Sequence, residues 1–79
     1  MNKAQILFVG DFDKAFLKQI SGENWEIKHK STSEEAINLL EREKIALIIA
    51  KDKIEHMNGY QLCLLIKSAP DTYNLPFYI

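Results

Sequence analysis

Hydrophobic positions along the chain follow two alternating patterns, short apolar runs and longer stretches with helical spacing. Runs of the strand type occupy residues 6–9, 25–30, 45–50 and 77–79. Apolar residues with helical spacing follow the first three runs, at residues 15–20, 36–40 and 60–68. This alternation predicts a parallel sheet with right-handed crossovers and helices on both faces.

Local capping signals predict where the helices begin and end. Asp13 is suited to be the N-cap of the first helix, and Gly22 follows that helix as a C-cap. Ser31, with Glu34 three residues later, has the spacing of a capping box at the start of the second helix. The third helix follows a turn at Asn58 and Gly59 and ends before Pro70.

Length, charge and cysteine content restrict the class of protein. The 79 residues, 47% of them hydrophobic, make one small domain. A net charge of -1 with mixed signs is not what a nucleic-acid-binding surface requires, so we expect no direct nucleic-acid partner. The single cysteine, Cys63, excludes an internal disulfide and indicates a reduced, cytoplasmic protein. No apolar run is long enough to span a membrane, and we expect no membrane partner.

Polar residues follow the first and third predicted strands. Gly10-Asp11 ends the first strand and Lys51-Asp52 ends the third. Ligands of parallel sheets bind beyond the carboxyl ends of the strands, so these residues share one crevice if the two strands are neighbours. The two histidines have no second ligand at metal spacing, and we expect both at the surface: His29 and His56.

Four segments resemble the receiver domain of two-component response regulators, of the flavodoxin-like, chemotaxis-regulator type. They are ILFVGDFD, STSEEAINLL, ALIIAKDKIEHMNGYQLC and LPFYI, in the order and at the spacing of that family. The resemblance implies a three-layer α/β/α fold with five parallel strands, of which this chain contains four. We therefore expect residues 1–79 to be a single, incomplete receiver-like domain that forms the amino-terminal part of a longer receiver.

The resemblance also locates the family's reaction site, in which two acids hold Mg²⁺ and an aspartate accepts a phosphoryl group. Lys51 occupies the phosphoacceptor position here, Gly10 replaces the first acid, and Asp11 remains as the second. The Lys51 ammonium can lie toward Asp11, and we expect this pair to hold one conformation without phosphorylation. Asp52, one residue later, should point to the opposite face of the strand from Lys51.

The loop after the third strand shows both a difference and a match. Glu55 replaces the family's loop proline, whereas Asn58 and Gly59 close the loop as the resemblance implies.

These residues predict a pseudo-receiver, a signalling module that is not an enzyme, needs no cofactor and acts through protein–protein contacts. A histidine kinase or an effector domain is the partner that the resemblance implies. A first alternative is a Mg²⁺-dependent phosphoacceptor that uses Asp52 with Asp11, and only in that case would Asp11 bind metal. A second alternative is an α/β scaffold that oligomerises and has no signalling role.

Two surfaces are candidate interfaces. In the third helix we expect Leu62, Leu65 and Ile66 to be buried and Leu64 to lie outside this stripe, as a contact residue for a partner. The fourth strand should leave an open sheet edge, from which we expect self-association of this chain.

Overall fold

The computed structural model describes residues 4–22, 24–54 and 57–79. Strands and helices alternate within these ranges: β1 (Ala4–Val9), α1 (Lys14–Ile20), β2 (Trp25–Lys30), α2 (Ser33–Arg42), β3 (Leu47–Ala50), α3 (Gly59–Lys67) and β4 (Phe77–Tyr78). The strands form one sheet in the order β2-β1-β3-β4, and every pair is parallel. The predicted parallel α/β architecture is therefore confirmed.

β1 lies between β2 and β3 and fixes the level at which the strands end. Val9 is opposite Lys30 of β2 and Ala50 of β3. The three strands consequently finish at the same height, which brings the residues that follow them to one edge of the sheet. β1 and β3 are neighbours, which is the condition under which Gly10-Asp11 and Lys51-Asp52 would share one crevice.

The main core lies between the sheet and helices α2 and α3. Successive strand side chains point to opposite faces, and Leu7 and Val9 face this core with no exposed surface. Burying a large apolar side chain stabilises the fold by roughly 1.5–3 kcal/mol. The other elements contribute seven buried residues to the same cluster: Ala36, Leu39, Ile45, Ile48, Ala50, Leu62 and Ile66.

The opposite face of the sheet is covered by α1. Phe8 and Leu17 are buried there, and the Phe8 ring meets Phe16 edge-to-face with centroids 6.5 Å apart. Phe16 itself stays 45% exposed. Helices thus cover both faces, as a three-layer fold requires.

The caps of α1 were predicted correctly at one end only. Asp13 is the N-cap, and its Oδ1 accepts a hydrogen bond from the Ala15 N–H at 3.0 Å. The C-cap is Ser21 rather than Gly22. Ser21 is extended, with φ -69°, so the chain leaves the helix without the left-handed residue for which glycine is favoured.

The N-cap of α2 lies one residue later than predicted, and the predicted capping box of Ser31 and Glu34 is wrong. Thr32 is the N-cap: its Oγ1 accepts from the Glu35 N–H at 3.2 Å and donates to the Glu35 carboxylate at 3.1 Å. The shift leaves Ser33 buried, where its hydroxyl donates to the Met57 carbonyl at 3.0 Å. Ser33 thereby ties the start of α2 to the loop before α3.

The remaining boundaries differ little from the prediction. β3 begins at Leu47 rather than at residue 45, although the Ala46 N–H already donates to the Gln5 carbonyl at 2.7 Å.

Among the described residues no helix is long and apolar enough to cross a membrane. The longest helix, α2, has 10 residues.

Candidate functional site

β2, β1 and β3 end at the same edge of the sheet, so the residues that follow these strands lie close together. The Lys51 N–H donates to the Val9 carbonyl at 3.0 Å, which continues the β1–β3 ladder past Ala50. On the other side the Gly10 N–H donates to the Lys30 carbonyl at 2.8 Å. Gly10 and Lys51 are therefore held next to each other by the sheet itself.

Gly10 and the Lys51 side chain fit together closely. Gly10 has φ +119°, a backbone conformation that residues with a side chain rarely adopt. A Cβ atom at this position would lie 2.9 Å from both Cβ and Cγ of Lys51. Rotation about χ1 can move Cγ, but Cβ is bonded to the backbone and cannot move aside without a backbone shift. The space that a side chain at residue 10 would need is filled by Lys51.

The Lys51 ammonium lies over the ring of Phe12, with Nζ 4.7 Å from the centroid. Phe12 is held in place by an edge-to-face contact with Phe8, at 5.0 Å between centroids. An ammonium over an aromatic face gains about 0.5–1 kcal/mol at an exposed site. Phe12 is a site residue that the sequence interpretation missed. The sequence shows Phe12 between two acids, but its contact with Lys51 depends on how the sheet brings the ends of β1 and β3 together.

The predicted ion pair between Lys51 and Asp11 is wrong. The ion pairs among the described residues join Lys28 to Glu26 at 3.8 Å and to Glu43 at 3.6 Å, and Lys51 takes part in neither. Asp11 is exposed, so its carboxylate keeps its hydration, while the ammonium rests on the Phe12 ring.

His29 also belongs to this site, contrary to the expectation that it lies at the surface. It is half-buried near the end of β2, and its Nε2 lies 2.7 Å from the Gly10 carbonyl oxygen. That oxygen also accepts a hydrogen bond from the Phe12 N–H at 3.2 Å. The imidazole and the turn at residues 10–12 therefore stabilise the glycine conformation from two sides. His56 lies outside the described residues.

The acidic residues that the structure describes at this site are all exposed. Asp11 and Asp52 both face solvent. Asp52 uses its Oδ1 to accept from the Lys53 N–H at 2.9 Å, and Asp13 caps α1. In residues 4–22, 24–54 and 57–79, no group of three or more histidine, cysteine or acidic side chains could hold a metal ion.

The loop after β3 is closed by Asn58 and Gly59, whereas Glu55 lies outside the described residues. Asn58 caps α3 in a reciprocal capping box with Gln61, at 2.8 and 3.1 Å. The Gly59 N–H donates to the Asp52 carbonyl at 3.0 Å, and a Cβ atom on Gly59 would overlap the Lys51 carbonyl oxygen. Glycine at 59 thus lets α3 begin directly against the end of β3.

The outer surface of α3 is more apolar than predicted. Leu62 and Ile66 are buried and Leu64 is 71% exposed, as expected. The expectation that Leu65 is buried is wrong, because it remains 47% exposed. At about 100° per residue, Leu62 and Ile66 lie on one line, and Leu65 is displaced from it toward α2.

Comparisons with known proteins identify the fold. No protein-family model and no curated protein matches the chain. Two solved structures do match. One is the signal receiver domain of a signal transduction histidine kinase from Syntrophus aciditrophicus, with 28% identity and a TM-score of 0.77 over 94% of this chain and 58% of that one. The other is the chemotaxis response regulator CheY4 of Vibrio cholerae, with 16% identity and a TM-score of 0.80 over 96% of this chain and 66% of that one.

The chain therefore has the flavodoxin-like fold of receiver domains, as the sequence resemblance implied. It spans less than two thirds of the length of either matched structure.

Proposed function

We propose that this chain is a two-component signalling module of the receiver fold that acts by protein–protein contact and accepts no phosphoryl group at the end of β3. Such a module is not an enzyme and requires no cofactor. Its partner would be a protein of the same signalling system, a histidine kinase or an effector domain. The receiver fold supports the signalling role, and the residues at the strand ends support the absence of phosphorylation.

The observation that carries this proposal is the close fit of Lys51 against Gly10. A lysine cannot form the acyl phosphate that an aspartate forms, and its side chain fills the space next to residue 10. The positive φ of Gly10 further disfavours a side chain there. The close fit therefore disfavours a carboxylate at residue 10, and Lys51 supplies none at residue 51.

The remaining donors are a poor set for Mg²⁺. This ion demands near-octahedral oxygen coordination, and phosphoryl transfer depends on carboxylates and metal converging on one group. Among the described residues that directly follow the strands, Asp11 and Asp52 offer the carboxylates. Both are exposed, and Asp52 already accepts a hydrogen bond. The Lys51 ammonium adds a positive charge at the same edge, which opposes cation binding.

A site of this kind would keep the domain in one conformational state. A ligand shifts an equilibrium only through a difference in its affinity for the two states. If no phosphoryl group binds, the surface offered to a partner stays constant, and signalling depends on the presence of the domain and its partner.

Phosphorylation can be tested directly. The chain is incubated with Mg²⁺ and acetyl phosphate, and separately with beryllofluoride, followed by intact-mass analysis and an Mg²⁺ titration read by NMR shifts. We expect no covalent adduct and no saturable shift. A phosphoryl adduct, or saturable Mg²⁺ binding that Asp52→Asn abolishes, would refute the proposal and support an acceptor at Asp52.

A gain-of-function experiment tests the role of the Gly10–Lys51 fit. The double variant Gly10→Asp/Lys51→Asp removes the lysine side chain and adds two carboxylates beside Asp11. We expect it to bind Mg²⁺. Gly10→Asp, alone or in the double variant, should lower the unfolding midpoint, because Cβ of residue 51 and the positive φ of residue 10 both oppose a side chain there. Equal Mg²⁺ binding by the wild type and the double variant would contradict this explanation.

A further inference from the structure

A groove between α2 and α3 lies away from the strand ends and takes no part in the site at Gly10 and Lys51. It has a volume of about 470 Å³. Its apolar wall is formed by Ile37 and Leu40 of α2, Leu65 of α3 and Ala69. We call this feature the α2–α3 groove.

The groove explains why Leu65 is exposed. Leu62 and Ile66 fill the space beneath α3, so Leu65 extends sideways toward α2 and stays 47% exposed. Ile37 and Leu40 are half-buried on the facing helix. Binding sites are commonly concave apolar pockets with a volume of about 300–1,000 Å³. Large exposed apolar patches also mark interaction surfaces.

The charges at the groove have one sign. Glu41 and Asp71 line it, and no lysine or arginine does. Both carboxylates are exposed, and the ion pairs among the described residues involve neither of them. An apolar surface flanked by two unpaired acids is complementary to an apolar surface flanked by bases.

We propose that the α2–α3 groove binds an amphipathic helix of a partner protein, with leucine-like residues on its apolar face and lysine or arginine at the edges of that face. Two neighbouring helices present ridges and a groove into which a third helix packs, and such helices bind through anchors at i, i+3/i+4 and i+7. The proposal rests on the proposed function only in taking protein contact as the mode of action.

A second copy of the chain is a less suitable occupant. Two-fold pairing of the groove with itself would bring Glu41 and Asp71 of one copy close to the same acids of the other. Like charges facing each other across an interface are unfavourable. The sign of the charge therefore favours a basic partner helix.

The test uses two fluorescent peptides of about 16 residues, the length at which an isolated helix becomes feasible. Both carry leucines on one face. One has lysines beside that face and the other has glutamates at the same positions. Anisotropy titrations of the 79-residue chain should show binding of the lysine peptide that weakens with salt, and at least tenfold weaker binding of the glutamate peptide.

Two pairs of matched variants locate the contact. Leu65→Gln should weaken binding of the lysine peptide by about tenfold, whereas Leu64→Gln, on the same helix but outside the groove, should not. Glu41→Gln/Asp71→Asn should weaken it by about fivefold, and Glu26→Gln/Glu34→Gln, with the same change in net charge, should leave it unchanged. Circular dichroism verifies that each variant is folded.

Several outcomes would overturn the proposal. These are equal binding of the two peptides, binding of neither, equal effects within either variant pair, or concentration-dependent dimerisation that Leu65→Gln abolishes. The last would assign the groove to a second copy. Because Mg²⁺ and acetyl phosphate play no part in this experiment, its result is independent of whether the strand ends accept a phosphoryl group.

Discussion

Gly59→Ala tests how closely α3 is packed against the end of β3. The added Cβ would overlap the Lys51 carbonyl oxygen, which is backbone and held by the β1–β3 ladder. Helix α3 must therefore move outward and weaken the hydrogen bond from the Gly59 N–H to the Asp52 carbonyl, now 3.0 Å long. Tyr60 and the residues after it would move with the helix.

The expected loss combines three contributions. Overpacking costs about 1–3 kcal/mol, and the weakened hydrogen bond costs about 1 kcal/mol. Alanine restricts the unfolded chain more than glycine does, which offsets about 0.4–1 kcal/mol. The net destabilisation is about 2 kcal/mol, equivalent to a decrease in Tm of about 8–16 °C for a domain of this size.

Gly22→Ala is the matched control. A Cβ on Gly22 would meet the Trp25 ring at 3.4 Å, an ordinary van der Waals distance, so this variant should show little change. Urea unfolding followed by circular dichroism gives the free energy of unfolding for both variants, provided that their m-values agree. Equal stabilities of Gly59→Ala and Gly22→Ala would refute the reasoning that glycine is needed at 59.

Two further substitutions test the contacts that frame the site. Ser33→Ala should lower the free energy of unfolding by about 1–2 kcal/mol because it removes a buried hydrogen bond to the Met57 carbonyl. Ser21→Ala, which removes an exposed bond of the same 3.0 Å length, should cost clearly less in the same urea titration. Asn58→Ala should cost about 1 kcal/mol, since the α3 capping box is lost. Thermal melts check this value, and an unchanged Tm would show that water replaces the cap.

The sequence predicted the sheet well because strand signals are local. The alternation at residues 25–30 matches β2 residue for residue, and the predicted parallel pairing is observed for every pair of strands. The helix caps were less predictable, because Ser31, Thr32 and Ser33 are chemically similar. Which of them becomes the cap depends on the buried bond that Ser33 forms with a loop 24 residues away.

The candidate site was predicted in its position but not in its contacts. Gly10 and Lys51 are adjacent because β1 pairs with β3, whereas the pattern showed only that each residue follows a strand. The position of the Lys51 ammonium was wrong because sequence spacing suggested an opposite charge, whereas the sheet places the Phe12 ring beneath it. Leu65 was misassigned for a related reason: its exposure depends on how α3 is rotated against α2.

The central place of β1 also determines how this chain can fold. Its partners are distant in sequence: Ala4 pairs with Trp25, and Leu7 pairs with Ile48. β2 and β3 do not pair with each other, so β2 joins the sheet only through β1, whereas β3 also pairs with β4. Such non-local parallel pairing is slow, because the entropy of closing each loop is lost before the contacts form. β2 is therefore coupled to the rest of the sheet through the six residues of β1, and β3 with the two-residue β4 is too small a pair to be stable alone.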